Sequence, residues 1–312
     1  MERETRQLLE QRLGGMYARL RLGIEKDAKP KVFGNGINFF HPENWYSIHS
    51  LIRSSLRLVG LYKRGQRNTL NIQVRENEIR LPGLADAFDG YTLLQLSDIH
   101  ADIHPPAVHA MVEAVRELEY DACVLTGDYR AQTHGPVDEA LEWMRVLMSG
   151  LAQPVYGVFG NHDSIRMLPA LESMGIHMLV NEHQVIECGG AQLYLVGIDD
   201  AHYFRVDNIE KAVENIPLDA PTILLSHTPE IYQQAAHAGF DAMLCGHTHG
   251  GQICLPGGVP ITLDARCPRR LGSGPWKHHE MLGYTSAGIG TSIVNVRLNC
   301  PPEVTLHRLR PA

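Results

Sequence analysis

Residues 92–100 read Thr-Leu-Leu-Gln-Leu-Ser-Asp-Ile-His: a short apolar run, Thr92–Leu96, that ends on two chemistry-bearing side chains, Asp98 and His100. The same pattern recurs down the chain. Ala122–Leu125 is followed by Thr126-Gly127-Asp128, and residues 155–159 by Gly160-Asn161-His162-Asp163. Thr222–Leu225 is followed by Ser226-His227, and Ala242–Cys245 by Gly246-His247-Thr248-His249-Gly250-Gly251-Gln252. Residues 193–198 make a further apolar run, and 293–298 and 304–309 have strand character. Between the runs, Ala107, Val108, Met111, Val112, Val115 and Leu118 keep the spacing of a one-faced helix, as do Ala140, Leu141, Met144, Leu147 and Met148. Continuous apolar runs alternating with such helices predict an α/β sheet whose strands are buried on both faces. Ligand sites in such sheets form at the carboxyl ends of the strands, which is where Asp, Asn and His cluster here.

Oxygen and imidazole donors without thiolates suit Mn, Fe, Zn or Ni rather than an iron–sulfur cluster or a structural zinc. Asp98-x-His100 and His247-x-His249 are expected to place paired side chains on one side of an extended strand end, since strand side chains alternate. The glycines at 127, 160, 246, 250 and 251 allow sharp turns and a close approach of substrate. One Asp shared between two cations would hold them about 3.5–4 Å apart, the spacing of two-metal hydrolytic sites.

Taken in order, Asp-x-His, Gly-Asp, Gly-Asn-His-Asp, a lone His and Gly-His-x-His-Gly-Gly resemble the calcineurin-like metallophosphoesterase superfamily, over roughly residues 70–309. The resemblance implies a four-layer α/β/β/α sandwich with two divalent metal ions. Carried over by position, it puts Asp98, His100 and His249 on one metal, Asn161, His227 and His247 on the other, and Asp128 between them. His162 would face the leaving-group oxygen, with Asn161 and Asp128 completing the catalytic set. Leu81-Pro82, Gly-His-Thr-His-Gly-Gly-Gln at 246–252 and Cys300-Pro301-Pro302-Glu303 are similar to a bacterial branch of membrane-associated phosphodiesterases, some of which hydrolyse UDP-2,3-diacylglucosamine.

Each motif is weak by itself; the ordered set, with every position filled, favours catalysis over a binding scaffold that kept only the fold. The expected activity is hydrolysis of a phosphodiester or pyrophosphate bond, in a nucleotide-linked lipid precursor or, alternatively, in small soluble esters. Tyr129-Arg130-Ala131-Gln132 departs from the Val-Asp-Arg-Gly pattern of the superfamily's protein phosphatases and speaks against that activity. Arg130 either touches a substrate phosphate or lies on the surface. His202 either lines the pocket or stands outside it; His104 and His109 read as solvated, and His278-His279 as a loop. Segments 199–208 and 254–282 are expected to shape the pocket.

The charge is divided. Residues 1–70 hold 13 Lys and Arg against 6 Asp and Glu; the remainder holds 15 against 29. The acidic remainder speaks against nucleic acid as a partner. The expected organisation is a basic helical extension, 1–69, ahead of a catalytic domain, 70–312. Leu8, Leu9, Leu13, Met16 and Leu20 form one apolar stripe, and Ile48, Leu51, Ile52, Leu56 and Val59 another, both interleaved with Arg and Lys. Such helices either pack on the catalytic domain with a solvated basic face or rest on an anionic membrane surface. Gly34-Asn35-Gly36 reads as a loop, and a short strand is expected at 70–74. Six scattered cysteines, no apolar leader at Met1 and no long apolar run point to a reducing, cytoplasmic setting, peripheral to the inner face of the membrane if the extension binds there.

Overall fold

The computed structural model describes residues 2–28 and 46–312, so the loop expected at Gly34-Asn35-Gly36 lies outside the described residues. The chain opens with helices α1 (Glu2–Leu13), α2 (Gly15–Asp27), α3 (Tyr46–Leu58) and α4 (Tyr62–Asn68). There follow β1 (Gln73–Leu81), β2 (Thr92–Leu96), α5 (Pro105–Val115), β3 (Ala122–Leu125), α6 (Asp138–Met148), β4 (Val155–Gly157), α7 (Leu168–Ser173) and β5 (Ile176–Met178). The second half holds β6 (Glu182–Cys188), β7 (Ala191–Gly197), α8 (Ile209–Ala212), β8 (Thr222–Leu225), α9 (Tyr232–His237) and β9 (Ala242–Cys245). It closes with β10 (Cys254–Leu255), β11 (Val259–Pro260), β12 (Gly274–His278), β13 (Met281–Thr285) and β14 (Glu303–Pro311).

Two six-stranded sheets result, in the orders β1-β14-β2-β3-β4-β5 and β12-β13-β9-β8-β7-β6. Strand alternation explains why the runs are apolar throughout. Leu94, Leu96, Cys123 and Leu125 face Met111 of α5, Met144 of α6 and Leu171 of α7. Their neighbours Leu93 and Val124 face the other way, against Leu195, Ile223, Leu225 and Leu244 of the second sheet. Val196, Leu224 and Met243 then meet Ala212 of α8 and Ala235 of α9. The layers are helix, sheet, sheet, helix, as expected. Each fully buried Leu or Val contributes about 1.5–3 kcal/mol.

Two of the expected strands need correction. Residues 293–298 do not form a strand; apart from a single bridge between Leu298 and Ile253, their backbone partners lie outside any ladder. The Gln252 amide donates to Ser292 O (2.8 Å) and Val294 O (2.9 Å) and accepts from Ser292 N, while Arg297 N donates to Gly65 O of α4. The strand expected at 70–74 begins later, at Gln73, and runs to Leu81 as an exposed edge parallel to β14, which its polar sequence hid.

The first apolar stripe is not one face. Gly14, at φ 83°, breaks the helix between α1 and α2. Leu9 and Leu13 enter the core, whereas Leu8, Met16 and Leu20 stay exposed. Two of the basic residues tie the helices to the rest of the protein, one of them at the surface and one inside it. Arg12 clamps Glu172 and Glu182 at 2.7–2.8 Å, and Arg21 is fully buried, with Nε 3.0 Å from Asp199 Oδ2 and its guanidinium 3.8 Å from the Phe204 ring centre. Among the described residues no helix is long and apolar enough to cross a membrane.

Candidate metal centre

The five strand ends converge. Asp98, His100 and His249 bring one donor atom each within 4.8 Å of one another, and Asp128, His227 and His247 do the same. Asp128 joins the two groups: its Oδ2 lies 3.3 Å from His227 Nε2 and 3.6 Å from His100 Nε2. Asn161 Oδ1 stands 3.0 Å from His227 Nε2. All of these side chains are buried.

The pairing does not arise from extended strand ends. Asp98, His100, Asp128, His247 and His249 all have positive φ, between 43° and 71°. Left-handed backbone costs an L residue about 1–2 kcal/mol, so this is strain held by the surroundings. The holding bonds are visible. Asp98 N donates to Gly127 O (3.0 Å), His100 N to Asp128 O (2.9 Å) and Gly246 N to His227 O (2.8 Å). Alternation of left-handed residues, not of strand residues, sends His247 to one group and His249 to the other.

Hydrogen bonding outside the site fixes the tautomers. His100 Nδ1 meets Arg130 O at 2.8 Å and His227 Nδ1 meets Thr126 O at 2.7 Å. A carbonyl only accepts, so each Nδ1 carries the proton and each Nε2 lone pair points into the site. His100 Nε2 then lies 3.1 Å from His249 Nε2, and His247 Nδ1 3.2 Å from His227 Nε2. Burial pushes His100 below the usual histidine range, and His247 and His249 far below it, which favours the neutral, ligating form. Against burial, the charge of Asp128 and its hydrogen bond push His227 up to about 10, so without a cation its Nε2 carries a proton that a bound cation would displace to free the lone pair; against burial too, His227 and His162 hold Asp128 well below the carboxylate range. Burial raises Asp98. Two sets of mixed carboxylate and imidazole donors with a carboxylate between them fit a pair of divalent cations.

Around this lies a shell that the motifs only partly announced. Asp163 accepts the backbone N–H of Asp128, Tyr129 and Gly160, each at 2.8 Å. Arg130 is not a surface residue: it is 1% exposed, and its nitrogens bind the carbonyls of His162, Thr133 and Gly135. His202 is buried in the site wall, its ring 4.2 Å from that of His247 and its Nδ1 3.1 Å from Glu230 Oε1. Asp200 caps that loop by accepting N–H from His202, Tyr203 and Phe204. Arg297, which carried no signal in the sequence, is fully buried beneath His249 and the 287–290 loop. His109 is exposed as expected, but His104 is half-buried, and His278 ends β12 rather than lying in a loop. His162 is 6% exposed, with Nε2 4.0 Å from Asp128 Oδ2 and Nδ1 3.5 Å from Thr133 Oγ1.

Residues 91–251 match the family described as calcineurin-like phosphoesterase. The uncharacterized metallophosphoesterase YkoQ of Bacillus subtilis (strain 168) is 29% identical over 260 residues, 80% of this chain and 94% of that one. Phosphodiesterase YaeI of Escherichia coli (strain K12) is 30% identical over 247 residues, 74% of this chain and 86% of that one. Among solved structures, the sulfate thiohydrolase SoxB from Thermus thermophilus superposes with a TM-score of 0.45 at 13% identity, covering 65% of this chain and 52% of that one.

Proposed function

The chain belongs to the calcineurin-like phosphoesterase family and is a metal-dependent phosphoesterase; from that premise we propose that it hydrolyses a phosphodiester or pyrophosphate bond in a lipid-linked substrate. The observation that carries the chemistry is the Asp128 carboxylate, facing His227 on one side and His100 on the other. In this reading Asp98, His100 and His249 hold one cation, Asn161, His227 and His247 the other, and Asp128 both. Such a pair supplies Lewis acidity toward a phosphoryl group and acidifies water. Asn161, with its oxygen toward His227, keeps its amide N–H for a phosphoryl oxygen. His162, held by Arg130 through its carbonyl and by Asp128 Oδ1 through its N–H (2.9 Å), presents its imidazole to the departing oxygen and gives it a proton.

The test is a panel of reconstituted metals (Mn, Fe, Zn, Ni) against model diesters, monoesters, nucleotides and UDP-2,3-diacylglucosamine, run on the wild type, Asp128→Asn and His162→Ala. His162→Ala is expected to lose about 10²–10⁴-fold in rate while still binding metal. Full metal-dependent activity in both variants overturns the assignment. Preference for small soluble esters over lipid-linked ones overturns the substrate.

The lipid-linked reading is supported by α3, where Leu51 (63% exposed), Leu58 (89%) and the adjoining Val59 (62%) stand in solvent among Arg53 and Arg57. An apolar surface interleaved with cations suits an anionic bilayer. Liposome flotation decides it: Leu51→Asn/Leu58→Asn protein that floats with anionic vesicles as well as the wild type removes this membrane contact.

A further inference from the structure

A cleft of about 820 Å³ opens between α1–α2 and the segment that runs from Thr133 into α6. Its volume falls within the roughly 300–1,000 Å³ of small-molecule sites. Its lining includes Thr133, whose hydroxyl lies 3.5 Å from His162 Nδ1, and Ser164, two residues beyond His162. Thr133 therefore stands between the cleft and His162, the residue that the proposed reaction sets beside its leaving group.

The walls are of two kinds. Leu9, Leu22, Val137 and Leu141 give an apolar side. Arg19 and Lys26, both on α2 and both exposed, give a cationic rim, and neither has a carboxylate partner among the described residues. His134 adds a buried Nε2 with no hydrogen-bond partner. Two carboxylates also border the cleft: Glu25 is already engaged by Ser164, Ile165 N and Arg21, and Asp138 stands exposed in the first turn of α6, where it is outnumbered by Arg6, Arg130 and Arg166, which line the cleft as well. An apolar wall beside unpaired cations is complementary to an anion that carries a hydrocarbon chain.

We propose that this cleft receives the leaving-group end of the substrate, an anionic amphiphile with one long chain along Leu22 and Leu141 and its charge on Arg19 and Lys26. This rests on the phosphoesterase reading above and gives α1 and α2 a substrate-binding role in place of a membrane one.

The test uses dodecyl phosphate below its micellar concentration and full-length protein. In EDTA, calorimetry reads the cleft without the metals. Dodecyl phosphate is expected to bind at least tenfold tighter than butyl phosphate, and Arg19→Glu and Lys26→Glu each to weaken it at least fivefold. Arg145→Glu, on the exposed face of α6, controls for net charge and is expected to bind as the wild type does. Equal binding of the two chain lengths, or equal loss in all three variants, overturns the proposal. With metal restored, Arg19→Glu and Lys26→Glu are expected to raise the KM of a methyl aryl diester whose leaving phenol carries a dodecyl chain and a carboxylate, relative to methyl phenyl phosphate, about fivefold; an unchanged ratio also overturns it. A protein that binds dodecyl phosphate in EDTA yet hydrolyses no ester would refute the catalytic reading and leave the cleft standing.

Discussion

Asp163 and Asp128 hold each other's loops. The Asp163 carboxylate accepts the Asp128 backbone N–H at 2.8 Å, and the Asp128 carboxylate accepts the N–H of His162, next to Asp163, at 2.9 Å. The residue that faces both donor sets is thereby positioned by one with no role as a ligand.

Asp163→Ala removes the acceptor of three buried N–H groups, those of Asp128, Tyr129 and Gly160. Each orphaned donor costs about 1–3 kcal/mol, and outer partners of ligands are typically worth about 10–100-fold in metal affinity. The variant is expected to show a lower denaturation midpoint in EDTA and weaker Mn²⁺ binding by calorimetry. Wild-type metal affinity would show that Asp128 keeps its position without this latch.

Gly246 is required by space. A Cβ there would overlap the Ser97 hydroxyl and the Asp98 carboxylate. Gly246→Ala is expected to fold with a lower melting temperature and to displace Asp98, halving the metal content measured after reconstitution. Two tightly bound metals per chain in this variant would mean that Asp98 does not hold one of them.

The sequence made the strands and the site legible to different degrees, for physical reasons. A strand buried on both faces must be apolar throughout, so β2, β3, β8 and β9 announced themselves to the residue. Edge and hairpin strands need no such run: β1, β6 and β12 carry charges or histidines on their exposed sides and either gave no strand signal or, like β1, one that was short. Of the site, the residues pointing inward follow a recognisable order of motifs. The left-handed backbone that aims them does not, because Asp and His adopt it only when distant contacts compensate. Arg297 was hidden for a related reason: nothing local distinguishes an arginine that will bind carbonyls in the core from one in solvent.

Arg297 ties the two halves of one donor set together. Its Nη2 donates to Ala287 O (2.7 Å), Gly288 O (3.0 Å) and Gly290 O (2.7 Å), its Nε to Gly290 O (2.9 Å), and Nη1 lies 3.5 Å from His249 O. Gly290 N in turn binds Asp98 O. Lysine has no planar fork to reach these carbonyls at once. Arg297→Lys and Arg297→Met are both expected to lose about 2–4 kcal/mol, read from urea denaturation. If Lys unfolds at the wild-type midpoint, a buried positive charge alone suffices and the fork is irrelevant.

His307 gives a pH dependence that is separate from the metal site. Its ring is fully buried between the sheets, and burial pushes it down to about 3. Gln95 fixes the tautomer: its amide N–H groups bind Thr126 Oγ1 and Cys245 O, so its Oε1 faces His307 and must accept from Nε2–H at 2.9 Å. Nδ1 is then the acceptor for Asn77, 3.0 Å away. The folded pKa is depressed below the unfolded value of about 6.5. Above pH 6.5 neither state is protonated and His307 contributes no pH dependence. Between about 6.5 and 3 only the unfolded chain takes up the proton, so stability falls as pH falls, by about 2 kcal/mol at pH 5 from this residue. His307→Gln keeps a donor and an acceptor but cannot titrate. The variant starts less stable than the wild type at pH 7, because glutamine fills the site imperfectly, and its deficit is expected to shrink by about 2 kcal/mol by pH 5. The other buried histidines titrate in both proteins and cancel in the difference. Urea denaturation of the pair in EDTA at pH 7 and pH 5 measures it, and a deficit that does not change with pH would mean His307 is protonated in the folded protein.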